Sequence, residues 1–276
     1  MFTFGRAMQT PDQRQRLAAL RDVIADIERK PAFLESRVPA ALADDGAFPL
    51  LAGGLVQEVF TDTVRNGGAS LGFALGQGRK LLSARRPALI YLQLVRDGQF
   101  FGLPYGPGLV SFGFDPASLV LVRAADMGEL LWTAEEALCC GAVAAIVADI
   151  GAVPAPLDFT ASRRLSLRAG ESGTSLFLLR YGTGREASAA HLRWHLTPQR
   201  SARHGFDAKA PGAARWQVRL ERGTTIKRQG EWLLEWTENG FATLPARSGS
   251  THDPRAATAF SRAVPAALAD RLSQTA

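Results

Sequence analysis

A phosphate-binding loop needs glycines that let backbone N–H groups reach the phosphates, a lysine for the outer charges, and a helix start behind them. The segment TDTVRNGGAS (Thr61–Ser70) has paired glycines, Gly67 and Gly68, but no Lys and no Lys-Thr pair. It reads either as a phosphate loop stripped of its cation or as a turn that merely starts a helix. Asp149 closes the apolar run AAIVAD. An acid at the carboxyl end of a central parallel strand faces the ligand crevice of an open α/β sheet, where it could hold Mg²⁺. The alternative is an Asp hydrogen-bonded within the turn that follows, IGAVP. His191 and His195 share one face of a strand pattern, but a metal needs a third ligand. Cys139 and Cys140 sit late in a helical pattern and read as core residues. No Gly-x-Ser-x-Gly elbow and no triad spacing appears, so no residue is expected to be catalytic. Gly67, Gly68 and Asp149 are the candidate nucleotide contacts. No cofactor is expected, with ATP and Mg²⁺ as the alternative.

The second chemical signal is charge. The 276 residues carry 32 Lys/Arg against 26 Asp/Glu, a net of +6. The excess is local: Thr160 to Arg222 holds 12 basic residues, nearly all Arg, against 4 acidic ones. Such a stretch points to a polyanion-facing surface, with Arg163, Arg164, Arg168, Arg193, Arg215 and Arg219 as candidate phosphate contacts. Arg-bearing strand faces also occur as ordinary solvated surface, and that reading stays open. Two adjacent cysteines cannot build a disulfide framework, and no run approaches the ~20 apolar residues of a membrane span. The opening MFTFGRAMQTPDQRQ lacks the apolar stretch of a secretory signal. These features lead us to expect a cytoplasmic protein without a membrane contact.

The elements that must position these groups are legible as pattern. Thr10-Pro11 with Gln13 opens a helix carrying Leu17, Leu20, Ile24 and Ile27, which Pro31 ends. Residues 1–50 are therefore expected to form a helical segment and linker. The runs GLVQEVF, ALIYLQLV, SLVLVRA, AAIVADI and SLFLLRY have strand length and are nearly continuous in apolar residues. Helical patterns separate most of them: one around 69–82, one capped by Asp126, one capped by Thr160 and ending near Gly173. Continuous apolar strands alternating with helices mean an α/β core whose mostly parallel sheet is covered on both faces. Beyond Gly182 the period becomes two, with Trp194, Trp216, Trp232 and Trp236 on inward faces, which predicts antiparallel strands extending the sheet. Residues 51–244 make this core. The tail over 245–276 is Pro/Ser/Thr-rich, with a short helical pattern near 259–272.

The run Tyr105 to Val153 resembles the core of the RecA recombinase, from its third sheet strand through the strand that ends in the Walker B acid. The likeness rests on Asp126, Gly128 and Glu129 at a helix start, on Gly141-Ala142-Val143 before the strand, and on Asp149. GLVQEVF resembles the strand leading into RecA's phosphate loop, and RWQVRLER a late antiparallel strand. Gly68 and Ala69 stand nearest the positions of the Walker A Lys and Thr, and Gln93 or Leu94 where a catalytic Glu belongs. GAVPAP and GTGREASAA are short beside RecA's DNA-holding loops. The segments GGLVQEVF, YGPGLVSFGFDP, LDFTASRRLSLRAGESGT and EWLLEW are similar to the ImuA family in particular. That resemblance implies a RecA-like P-loop-NTPase core with a degenerate nucleotide site and no catalysis. It also implies an accessory role in SOS damage-induced mutagenesis and translesion synthesis. The implied partners are ImuB, an inactive Y-family-polymerase-like adaptor, and its error-prone polymerase, with RecA and DNA beside them. An ATP-binding RecA-like DNA-binding protein is the alternative.

Overall fold

Every residue of the first strand, β1 (Val56–Thr61), is buried, which suits only a strand at the centre of a sheet covered on both faces. The computed structural model of the chain describes residues 47–49, 51–151, 157–207, 209–223 and 230–245. Beside β1 lie β2 (Ala88–Leu94), β3 (Leu119–Ala124), β4 (Val143–Asp149), β5 (Ser175–Tyr181) and β6 (Leu192–Gln199). These six run parallel. The antiparallel strands β7 (Arg215–Gly223), β8 (Glu231–Thr237) and β9 (Gly240–Leu244) complete the sheet. Its order is β3-β2-β4-β5-β1-β6-β7-β8-β9. The expected α/β class, with a mostly parallel sheet and antiparallel C-terminal strands, is what the chain forms.

Alternation along the strands divides the core in two. Val59, Tyr91, Val147, Phe177 and Leu179 face one side, where α1 (Gly67–Arg79) supplies Phe73, Ala74 and Leu75. Leu92, Ile146, Ala148, Leu176 and Leu178 face the other, against Leu130 and Leu138 of α4 (Met127–Leu138) and Leu165 of α5 (Phe159–Ser172). Two short helices, α2 (Val95–Phe101) and α3 (Gly106–Ser111), follow β2.

Three indoles fasten β6, β7 and β8 to the rest. Trp194 Nε1 donates to Gln57 on β1 (2.8 Å), Trp216 Nε1 to the Ala69 carbonyl on α1 (3.0 Å), and Trp236 Nε1 to the Phe112 carbonyl (3.1 Å). Phe112 stacks flat on Trp236 at 4.1 Å between centroids. Each tryptophan buries a large apolar ring and satisfies its one donor, so the period-two Trp pattern marks where this layer is joined.

Three expectations change. β6 pairs parallel to β1, because the chain after β5 returns to the same end of the sheet before entering beside it. A period-two pattern reports burial and carries no strand direction. α5 is capped by Asp158, whose carboxylate accepts from the Ala161 N–H at 2.6 Å, two residues before the expected Thr160. Cys139 and Cys140 are exposed, since α4 ends at Leu138 and both fall in the turn to β4. The expected helices near residues 10–30 and 259–272, and residues 152–156 of the GAVPAP loop, lie outside the described residues.

Candidate functional site: the crevice at the carboxyl edge

The strand order puts β5 between β1 and β4, so their carboxyl ends, Thr61 and Asp149, lie two strands apart, about 10 Å. β5 ends between them in Tyr181. The connection after β1 forms one 3₁₀ turn (Val64–Asn66) and passes into α1 at Gly67. Asn66 Nδ2 donates to the Thr61 hydroxyl at 2.9 Å, so this turn closes on itself. A Cβ on Gly67 would lie 3.1 Å from the Tyr181 hydroxyl, whereas one on Gly68 would meet nothing within 4 Å. The two glycines therefore differ: Gly67 makes room for the tyrosine, and Gly68 faces open space.

Asp149 is 5% exposed, and its carboxylate is enclosed by donors. Tyr91 Oη donates to Oδ2 at 3.0 Å, the Gly151 N–H to Oδ1 at 3.2 Å, and the Tyr181 hydroxyl also donates. Burial pushes the Asp149 carboxyl above the ordinary range, and the three donors pull against it. Burial, then the charge of Asp149, pushes both tyrosine hydroxyls far above their usual value, so they remain donors. The Tyr181 phenol thus lies between the helix start at Gly67 and the Asp149 carboxylate.

Around this trio the polar groups are less well matched. Asp97, at the start of α2, is held above its ordinary range by burial, with the Arg96 guanidinium 3.7 Å away opposing. Its Oδ2 has no hydrogen-bond partner among the described residues. A Cβ on Gly151 would lie 2.3 Å from that oxygen, and Gly151 has φ +74°, so only glycine fits there. Gln93 is buried and donates to the Gly102 carbonyl at 3.3 Å, while its Oε1 also has no described partner.

The loop after β5, the GTGREASAA segment, is pinned by an ion network rather than left free. Glu58, fully buried on β1, accepts from Arg193 Nε (2.8 Å), Arg180 Nη1 (3.3 Å) and Ser188 Oγ (2.9 Å). Arg193 also holds the Glu186 carbonyl, and Arg185 the Gly182 carbonyl and Glu221. The guanidiniums of Arg180, Arg185 and Arg193 lie 4.0 to 5.3 Å from the ring centroid of Phe60.

The six arginines singled out by charge are not gathered on one surface. Arg193 is buried and committed to Glu58. Arg164 and Arg168 share Glu135 of α4, and Arg168 also donates to Cys139 Sγ at 3.2 Å. Arg215 pairs with Glu235 across to β8, and Arg219 with Glu221 on its own strand. Arg163, exposed on α5, has no ion pair among the described residues. The histidines also diverge. His191 Nδ1 accepts from the Val56 N–H at 2.9 Å, and burial holds its imidazole below the usual value. His195 Nε2 meets Asp62 at 2.9 Å.

Sequence reasoning missed Tyr181, Tyr91 and Glu58. The rule that singled out Asp149, a polar residue closing an apolar parallel strand, applies equally to Tyr181 in SLFLLRY. Glu58 stood as a lone acid inside the apolar VQEVF.

No family model matches the chain. It is 38% identical over 172 residues to curated proteins named "Protein ImuA" from two strains of Caulobacter vibrioides, across 57% of this chain and 68% of theirs. With that much of those relatives covered at that identity, the chain belongs to the ImuA family.

Proposed function

We propose that this protein is a non-catalytic accessory factor of damage-induced mutagenesis, which supports translesion synthesis by assembling partners and does not turn over nucleotide. The observation that carries this reading is the Tyr181 phenol between Gly67 and Asp149. A phosphate loop with no lysine lacks the usual cation for the outer phosphates, Arg65 being the replacement candidate in TDTVRNGGAS, and an acid already accepting from Tyr91, Tyr181 and the Gly151 N–H offers little to a metal. Membership of the ImuA family supports the SOS setting, an ImuB-like adaptor and an error-prone polymerase as partners, and a site of action at the nucleoid. RecA and DNA are the further partners in this reading.

Two measurements test it together. Titration with Mg·ATP in a calorimeter is expected to give no binding heat, and Asp149→Asn is expected to sustain damage-induced mutagenesis in cells. Stoichiometric heat, or loss of mutagenesis in a variant that keeps its fold, overturns the reading.

A further inference from the structure

An apolar groove of about 540 Å³ opens between the start of α1, α3 and the ends of β6 and β7. Leu71, Leu75, Tyr105, Leu109, Phe112 and Trp216 form its walls. Among the described residues, Arg215 is the one charged residue in its lining, and Glu235 pairs with it. Its wall residue Tyr105 is 73% exposed, so part of the apolar wall stands in water. A polypeptide laid in the groove would cover the exposed Tyr105 ring together with the floor.

The rim is biased towards positive charge. Arg65 lies three residues before the lining residue Gly68, and Arg200 lies between the lining residues Gln199 and Ser201. Arg203 and Lys209 follow in the same β6–β7 connection. All four are exposed, and none has an ion pair among the described residues. Against these cations stand Asp62, which meets His195, and Asp115 and Asp207, whose carboxylates accept from the Ala117 and Lys209 N–H groups. The first turn of α1 holds no acid to offset its dipole.

We propose that this groove docks an acidic segment of a partner protein, inserting aromatic or leucine side chains while its carboxylates meet Arg65, Arg200, Arg203 and Lys209. The role of that contact rests on the accessory function proposed above, whereas the groove and its chemistry stand on their own. Random peptides about twelve residues long, displayed on phage and selected on the full chain, read the preference directly. The expected consensus combines Leu, Phe or Trp with Asp or Glu. A synthetic consensus peptide is expected to bind about tenfold more weakly to Tyr105→Ala and to Arg200→Glu, and more weakly as salt rises. Arg163→Glu, on the other side of the sheet, is expected to leave its affinity unchanged. Tyr105 and Arg200 are exposed, so neither change threatens the fold, which circular dichroism checks.

A selection without consensus, a consensus without acids, or equal affinity across the variants overturns the proposal. So does displacement of the peptide by ADP or ATP, which would give the groove to a nucleotide. Peptide binding that meets these tests, together with undiminished damage-induced mutagenesis in Tyr105→Ala cells, would keep the groove and remove its accessory role.

Discussion

Tyr181→Phe separates the hydroxyl from the ring. The phenyl still fills the space beside Gly67, but one of the three donors on the Asp149 carboxylate is gone, leaving Tyr91 and the Gly151 N–H. A hydrogen bond to a charged, buried acceptor contributes about 1.5–3 kcal/mol. With a urea dependence of about 1–3 kcal/mol per molar, the unfolding midpoint should fall by roughly 1 M at pH 8. The pH dependence carries the sign. Burial already raises the folded-state pKa of Asp149 above its ordinary value, and losing a donor raises it further. Above the folded pKa, Asp149 is ionised and the variant bears the full deficit. As pH falls through it, the folded carboxyl protonates and the charge-assisted part of the deficit disappears. The destabilisation should therefore be largest at about pH 8 and shrink on approach to pH 5, read as the difference between urea curves followed by tryptophan fluorescence. A deficit below about 0.5 kcal/mol at pH 8, or one that does not change with pH, would refute the account of Asp149 as an anion held by Tyr181.

Two further outcomes follow from buried charge. Glu58→Leu leaves Arg193 buried and unpaired and should cost about 3–5 kcal/mol in urea unfolding, most of it recovered when Arg193→Met is added. His191 is held below its usual pKa by burial, so the unfolded chain takes up its proton first and stability falls as pH drops below about 6.5; His191→Gln should flatten that fall.

The strands were legible because burial on both faces leaves a continuous apolar run, and SLFLLRY matched β5 residue for residue. The side chains that define the crevice were harder to see. The Asp149–Tyr181 contact depends on which strands are neighbours at the carboxyl edge, and no local pattern states that β5 lies between β1 and β4. The pairing of the arginines was hidden in a similar way. Composition sums arginines along the chain, whereas pairing is decided across the sheet: Arg193 with Glu58, Arg215 with Glu235, Arg164 with Glu135. Helices α2 and α3 left little signal because they are only seven and six residues long, and α3 begins Gly-Pro-Gly.

The same contacts that close the crevice lie where a nucleotide-driven protein would move. In a nucleotide switch, loops at the carboxyl edge are ordered by a phosphate and its metal and released on hydrolysis. Here the corresponding groups are held by the chain itself. Tyr181 spans from α1 to Asp149, Asn66 closes the turn after β1, and Glu58, Ser188 and Arg193 pin the loop after β5. A ligand can shift an equilibrium only by its differential affinity for two states, and these contacts consolidate one. Partner binding at the groove beside α1 would then depend on a preformed surface, with little reorganisation to offset. That is the physical condition under which a small apolar floor and a few unpaired cations can hold an acidic segment.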